Sequence, residues 1–240
     1  MNIIFGNYGN GTLALIQWAF ENKVPHVFVV SVDTGWAATS WNAHVERAKN
    51  YAKSFNFNVL ELKSKASFDE LVRDRNDFPS PKFQWCPLLL KGMPLLDWLD
   101  RIDPRCEATI LLAKRRAGAR RNHDLPEFIE RSEHYGERCI HYPLFQHDEA
   151  AYQALITRTG FTALPHRSLE CAPCIHSQNL DFQRLADEDI HKLRQLEIEL
   201  DKPMFAQPIV DVVAGARAAN VAHPTHSDPQ GCADPYGCGE

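Results

Sequence analysis

No apolar run in this sequence approaches the roughly 18–20 residues that a helix needs to span a bilayer, so no membrane partner is expected. The opening residues MNIIFGNYG carry neither a basic n-region nor an apolar h-region. No secretory signal is therefore expected, and the chain is assigned to the cytoplasm. A large excess of one charge is missing as well: 26 Lys and Arg against 31 Asp and Glu leave a net charge of −5. That balance gives no global basic field for nucleic acid, although a local basic patch stays open. Internal repeats and low-complexity tracts are absent too. What remains is an ordinary globular composition, 44% hydrophobic and 24% charged over 240 residues. This length can bury a substantial core in one domain, or in one domain with an appendage. Seven cysteines (86, 106, 139, 171, 174, 232 and 238) stand out against this background. In a reducing compartment, clustered cysteines point to metal or redox chemistry rather than to disulfides.

The first half alternates strand and helix signals. NIIF (2–5), HVFVVSV (26–32), NVLEL (58–62) and EATILLA (107–113) are apolar or β-branched runs that read as strands. Between them, TLALIQWAFENK (12–23) carries a helical apolar stripe, a helix is expected from about 40 to 55, and another from 87 to 102. Pro94 should kink or divide the last of these. This rhythm predicts an α/β fold, an open, mostly parallel twisted sheet with helices on both faces. Ligands of such sheets bind beyond the carboxyl ends of the strands. The pattern changes near residue 145. We therefore expect a nucleotide-binding α/β domain over 1–144 and a helical, Cys-rich extension over 145–240. The extension should hold a helix at 147–158, a charged helix at about 179–200 and an irregular tail after Pro203.

The stretch IIFGNYGNGTLAL (3–15) places three glycines where a strand should give way to a helix. Gly6-x4-Gly11-Thr12 has the skeleton of a Walker A loop but lacks its lysine, which argues against an ordinary P-loop NTPase. Gly9-x-Gly11-x-x-Ala14 also fits a relaxed dinucleotide fingerprint, with Asp33 ending the second strand where a ribose-binding acid would stand. A strand-to-helix turn needing positive φ, with no ligand, is the bland alternative. The third reading is a pyrophosphate loop, in which backbone N–H groups and a hydroxyl opening a helix hold an anion.

Two cysteine pairs have ligand spacing. Cys171-x2-Cys174 presents two thiolates on one tight turn, as zinc and iron–sulfur sites do, and Cys232-x5-Cys238 is a second candidate. Cys106 and Cys139 adjoin strand runs and read as inert core residues. Arg115, Arg116, Arg120 and Arg121 follow a strand end, and Lys82 and Lys91 flank Cys86. Their cations suit phosphate or sulfate oxygens, although a basic run is more commonly a solvated face.

Several motifs in order along the chain carry a resemblance. NYGNGTLAL is similar to the SGGxDS-L-A-L loop of the adenine nucleotide α-hydrolase-like (PP-loop) superfamily. Asn7 stands at the first serine, Gly9 at the second glycine and Thr12 at the final serine, with Tyr8, Asn10 and Gly11 completing the loop. Gly11 replaces the loop acid, which sulfonucleotide reductases also lack. VVSVDTGW resembles the second strand and D-T-G turn, here Asp33, Thr34 and Gly35, of phosphoadenosine-phosphosulfate (PAPS) reductase relatives. FPSPKFQWCPLLLKGMPLLDWLD is similar to their R-K-x-x-C-x-x-x-K-x-x-P segment, and LLAKRRAGARR to their basic G-x-R-R-E-x-S stretch. In that stretch Ala117 and Ala119 replace the expected Glu and Ser. LPHRSLECAPCIHSQNLDF looks like the C-x-x-C segment of the iron–sulfur members.

The resemblance implies that Asn7 to Thr12, Asp33 to Gly35, Lys82, Lys91, Arg115, Arg116, Arg120 and Arg167 hold an adenine nucleotide. It implies a [4Fe-4S] cluster on Cys86, Cys171, Cys174 and one of Cys232 or Cys238. The rival is a zinc site on both cysteine pairs. The implied reaction is reductase-like: a tail thiolate, Cys238 or Cys232, attacks the sulfur of PAPS or APS, and a thioredoxin-like reductant frees sulfite. The alternative is an ATP- and Mg2+-using sulfurtransferase, fed by a sulfur donor, that thiolates a nucleic acid or a metabolite. A zinc-stabilised nucleotide-binding module without catalysis is the third reading.

Overall fold

Short runs of branched side chains build one six-stranded sheet. The computed structural model describes residues 1–117, 122–219 and 236. Strands β1 (Asn2–Phe5), β2 (Val27–Asp33), β3 (Asn58–Lys63), β4 (Thr109–Leu111), β5 (Phe128–Ser132) and β6 (Arg138–His141) lie in the order β3-β2-β1-β4-β6-β5. All neighbours pair parallel except β5, which runs antiparallel to β6 at the edge. Adjacent residues of a strand face opposite sides of a sheet, and β1 obeys this. Ile4 packs with helices α1 (Asn10–Glu21), α2 (Trp41–Ser54) and α5 (Glu149–Arg158) through Leu13, Ala48 and Leu155. Ile3 packs on the other face with α4 (Met93–Ile102) through Leu95 and Leu99. The doubly covered α/β sheet expected from the sequence is what the chain adopts.

A third core lies among the helices and long loops. Trp36 and Phe68 meet Trp85 and Leu90, then Leu193 and Val213. These come from the turn after β2, from α3 (Phe68–Arg75), and from a π-helical turn at Pro87–Gly92 that runs directly into α4. The remainder comes from α7 (Asp187–Leu200) and α8 (Ile209–Ala218). This core carries the functional segments described below.

Several expected elements differ. The strand expected over 107–113 is hydrogen-bonded as a strand only at Thr109–Leu111. The helix expected at 87–102 is divided before Pro94, with wider π turns on the Cys86 side. The charged helix at 179–200 is two helices, α6 (Asn179–Gln183) and α7, broken at Arg184–Ala186. The expected irregular tail contains α8, whose buried Ile209, Val213 and Ala216 form a helical stripe despite the surrounding Pro and Gly. Helix α3 went unread, although Ser67 and Glu70 form a capping box at its start. Among the described residues, no helix is long and apolar enough to cross a membrane.

Candidate functional site: a polar cleft beside a thiol pocket

The loop after β1 is shaped from within. Asn7 Oδ1 accepts the Gly9 N–H at 2.9 Å, and the Asn7 N–H donates to Thr12 Oγ1 at 3.2 Å. Its left-handed residue is Tyr8 (φ 62°), not one of its glycines. Glycine at position 6 is required for space instead, since a Cβ there would collide with the Thr12 hydroxyl. Helix α1 then begins at Asn10 with no side-chain cap. Its first N–H groups are without intrahelical partners by geometry, as a helix start that receives an anion requires.

A cleft of about 260 Å3 opens beside this loop, over the carboxyl end of β2 and against α2. Asn7, Tyr8, Ser31, Asp33, Thr34 and Glu170 contribute to its lining. The D-T-G turn is set by two hydrogen bonds: Asp33 Oδ1 accepts the Gly35 N–H at 2.9 Å, and Thr34 Oγ1 donates to the Glu170 carbonyl at 2.8 Å. Gly35 needs to be glycine on two counts. Its φ is 67°, and a Cβ would lie 2.6 Å from Ser67 Cβ. Two hydroxyl groups buried in the cleft wall, Tyr8 Oη and Ser31 Oγ, interact with each other but make no well-formed hydrogen bond. They adjoin each other, and burial drives the Tyr8 phenol far above its ordinary range. Deeper in the cleft, Lys49 bridges Glu46 at 2.7 Å and Glu61 at 3.0 Å. Burial opposes its charge, but the two carboxylates outweigh that and raise its pKa.

Beyond the cleft wall lies an apolar pocket where Cys86, Cys171 and Cys174 converge among Trp36, Phe68 and Pro173. Cys86 lies 85 residues from Cys171 and 88 from Cys174 in sequence. Burial, together with the nearby Cys171, pushes the Cys86 thiol up to about 12. Such a thiol ionises only when a cation or metal centre compensates the charge. The Cys171 thiol lies 3.7 Å from Thr34 Oγ1. Among the described residues, no three His, Cys, Asp or Glu side chains gather around one point closely enough to hold a metal ion. The three soft donors in an apolar pocket fit an iron–sulfur cluster, which spreads its thiolates more widely than a single ion does.

The two cavities share one stretch of backbone. Glu170 turns its carboxylate toward the cleft, and the next residue, Cys171, turns its thiol toward the pocket. Glu170 Oε1 accepts from Asn7 Nδ2 at 3.0 Å and from Lys91, whose side chain is buried on the π-helical turn. Asn7 also donates to Ser168 Oγ at 2.8 Å. Asn10 clamps the same segment with a reciprocal pair to the Leu164 backbone at 2.9 and 2.8 Å.

The other candidates are dispersed. Lys82 is exposed on the turn before Cys86. Arg115 stacks on Tyr152 at 3.8 Å and pairs with Glu149 at 3.1 Å, while Arg116 lies over Phe145. Arg167 donates to the His176 carbonyl at 2.6 Å, bracing the loop that carries Cys171 and Cys174. Arg120, Arg121, Cys232 and Cys238 lie outside the described residues. Sequence reasoning missed Glu170, Lys49 and Lys192. Lys192 covers the Trp36 ring at 3.8 Å and donates to the Gly35 carbonyl, with its pKa lowered by burial. Its place on a charged helix gave no signal.

No protein-family model matches this chain, and no curated protein matches it. Comparison with solved structures finds PAPS reductase from Candida auris in a phosphate complex, at 17% identity and a TM-score of 0.48, covering 68% of this chain and 74% of that one. The U34-tRNA thiolase NcsA from Methanococcus maripaludis with its [4Fe-4S] cluster is similar at 12% identity and a TM-score of 0.49, with 90% and 70% covered. NMN synthetase from Francisella tularensis is similar at 8% identity and a TM-score of 0.48, with 90% and 83% covered.

Proposed function

We propose that this chain is an enzyme of the PP-loop type that binds an adenine nucleotide in the polar cleft and carries out sulfur chemistry at the adjoining thiol pocket. The observation that carries this reading is the junction at Glu170–Cys171. There the glycine loop, the D-T-G turn and the Cys86 segment are joined within two consecutive residues. The start of α1 would receive the phosphates, and Tyr8 and Ser31 would bond polar atoms of the nucleoside. Cys86, Cys171 and Cys174 would hold a [4Fe-4S] cluster, with a fourth ligand from outside the described residues. When bound, that group would supply a redox-active or sulfur-binding metal centre in a dry pocket.

Two versions of the chemistry use these positions. In the reductase version, a Cys238 or Cys232 thiolate attacks the sulfur of PAPS or APS. The bond from that sulfur to the phosphate oxygen breaks, the nucleotide leaves, and a thioredoxin-like thiol then displaces sulfite, forming a disulfide. In the sulfurtransferase version, a substrate oxygen attacks the α-phosphorus of ATP and expels pyrophosphate. A sulfide sulfur then displaces AMP from the activated carbon or phosphorus; where a persulfide attacks instead, a second thiol cleaves the resulting S–S bond, forming a disulfide and freeing the thiolated product. The charge arrangement favours the second version. Lys91 is already neutralised by Glu170, so it offers no unpaired cation to a sulfate group.

The test is anaerobic purification with iron, sulfide and zinc analysis, followed by incubation with PAPS, APS or ATP and candidate acceptors. Pyrophosphate and AMP released without sulfite support sulfur transfer. Sulfite release supports the reductase version, and a colourless zinc protein inert to all three nucleotides would overturn both.

A further inference from the structure

A glycine inside a continuous helical run calls for a physical reason. Gly92 sits where the π-helical turn Pro87–Gly92 passes into α4, with helical dihedrals (φ −60°, ψ −51°) that any residue adopts. Glycine there weakens the helix relative to alanine. The reason lies on one side of it: a Cβ at position 92 would stand 2.5 Å from the Tyr236 ring. Tyr236 is 4% exposed and belongs to the core around Leu95, Leu99 and Tyr135. Its ring lies 5.4 Å from that of Tyr135, and its hydroxyl donates to the His134 carbonyl on the turn between β5 and β6. Tyr236 is thus held in a notch by packing along its ring and by a hydrogen bond at its tip.

One short turn joins this notch to the thiol pocket. Cys86, Pro87, Leu90 and Lys91 line that pocket, and Gly92 is the next residue along. Gly92 is six residues after Cys86, which along a helix is about 9 Å. Tyr236 stands four residues after Cys232 and two before Cys238. An extended chain spans at most about 3.6 Å per residue, so a fixed Tyr236 confines the two Cα atoms to within about 14 and 7 Å of its own. Those spans are comparable with the distance from the notch to Cys86. The pocket holds three soft donors, and a four-thiolate site needs one more.

We propose that Tyr236 is a positioning residue: seated against Gly92, it keeps a thiol of the C-terminal tail, Cys232 or Cys238, beside Cys86, Cys171 and Cys174. This rests on the thiol-pocket reading above and deepens it, since it names the side chain that brings in a fourth soft donor. The tail thiol is then a resident of the pocket rather than a group that arrives with the substrate. Withdrawing it means pulling a buried aromatic ring from its notch and breaking the bond to the His134 carbonyl. Sequence spacing could not reveal this, since Gly92 and Tyr236 are 144 residues apart.

The experiment is cross-linking of the metal-free full chain with dibromobimane, a short bifunctional thiol reagent, with the linked peptides mapped by mass spectrometry. The wild type is expected to link Cys232 or Cys238 to Cys86, Cys171 or Cys174. Tyr236→Ala is expected to lower that yield at least about five-fold while the Cys171–Cys174 link keeps its wild-type yield, a split that general unfolding would not give. Gly92→Ala fills the notch without altering the tail and favours the helix itself. It is expected to lower the tail-to-pocket yield by about three-fold or more, and it serves if Tyr236→Ala does not fold. A wild type without any tail-to-pocket link overturns the inference, as does a yield unchanged in the folded variants. Iron and zinc uptake by the same wild-type protein is measured separately. Links without metal uptake uphold the positioning and overturn the metal-centre reading, and metal uptake without links does the reverse.

Discussion

Glu170 and Cys171 are neighbours in the chain but face opposite media. Glu170 looks into a cleft lined with carboxylates, hydroxyls and amides, and Cys171 into a pocket lined with Trp36, Phe68 and proline. The cleft holds a weakly paired couple of buried hydroxyls, Tyr8 and Ser31, and the pocket a thiol, Cys86, that burial keeps neutral. Polar recognition and soft-metal chemistry demand different dielectrics, and the bend at Glu170–Cys171 serves both by lining one cavity with each side chain. The contrast teaches that the two cavities can be perturbed separately while a single peptide unit couples them.

The largest expected effect separates them outright. Cys171→Ala should remove most of the iron from anaerobically purified protein while nucleotide affinity stays within about three-fold, the factor expected for a residue outside the cleft. Parallel loss of both would mean that the cavities are not separable. Next comes the shared wall. Lys91→Met strands a buried carboxylate and should destabilise the fold by about 3–5 kcal/mol in urea unfolding, and adding Glu170→Gln should recover most of that. Gly35→Ala, at the turn beneath both cavities, should cost about 1–3 kcal/mol from its positive φ and its contact with Ser67.

Smaller effects sharpen the cleft side. Tyr8→Phe removes a buried hydroxyl that makes no well-formed hydrogen bond, so the ligand-free protein should lose little stability, while nucleotide binding weakens by about three- to ten-fold for one lost hydrogen bond. His44 accounts for the smallest. Its ring lies 2.8 Å from the Tyr8 carbonyl, and burial lowers its pKa from the ordinary 6.5. The folded state therefore binds fewer protons there than the unfolded state. The stability from neutral His44 is present above pH 6.5 and is lost as pH falls through the lowered value. A flat stability profile from pH 7 to 5 that His44→Gln leaves unchanged would contradict this.

Much of the sheet was legible. The branched runs at Ile3–Ile4 and Val27–Val32 can bury both faces only within a parallel sheet, and they do. The edge hairpin was not legible, because FIERS is a largely exposed strand carrying charge and RCIH buries its charged Arg138. Helix α3 announced itself through Ser67-x-x-Glu70, a signal present but unread. Asn7, Thr34 and Cys171 were singled out by motif. Their convergence depends on Glu170 and Lys91, and a tertiary salt bridge between Lys91 and a residue 79 positions away leaves no local pattern. Lys49 and Lys192 were equally hidden, each sitting among the ordinary surface charges of a helix.

The central claim is that the cleft and the thiol pocket form one coupled site. It is tested most directly by alkylating the metal-free protein with iodoacetamide, with and without saturating ATP and Mg2+, and measuring the rate at each cysteine by mass spectrometry. The account predicts that nucleotide changes the rates at Cys171 and Cys174 several-fold while leaving Cys106, distant in the fold, as it was. Equal rates at Cys171 and Cys174 with and without bound nucleotide would contradict it.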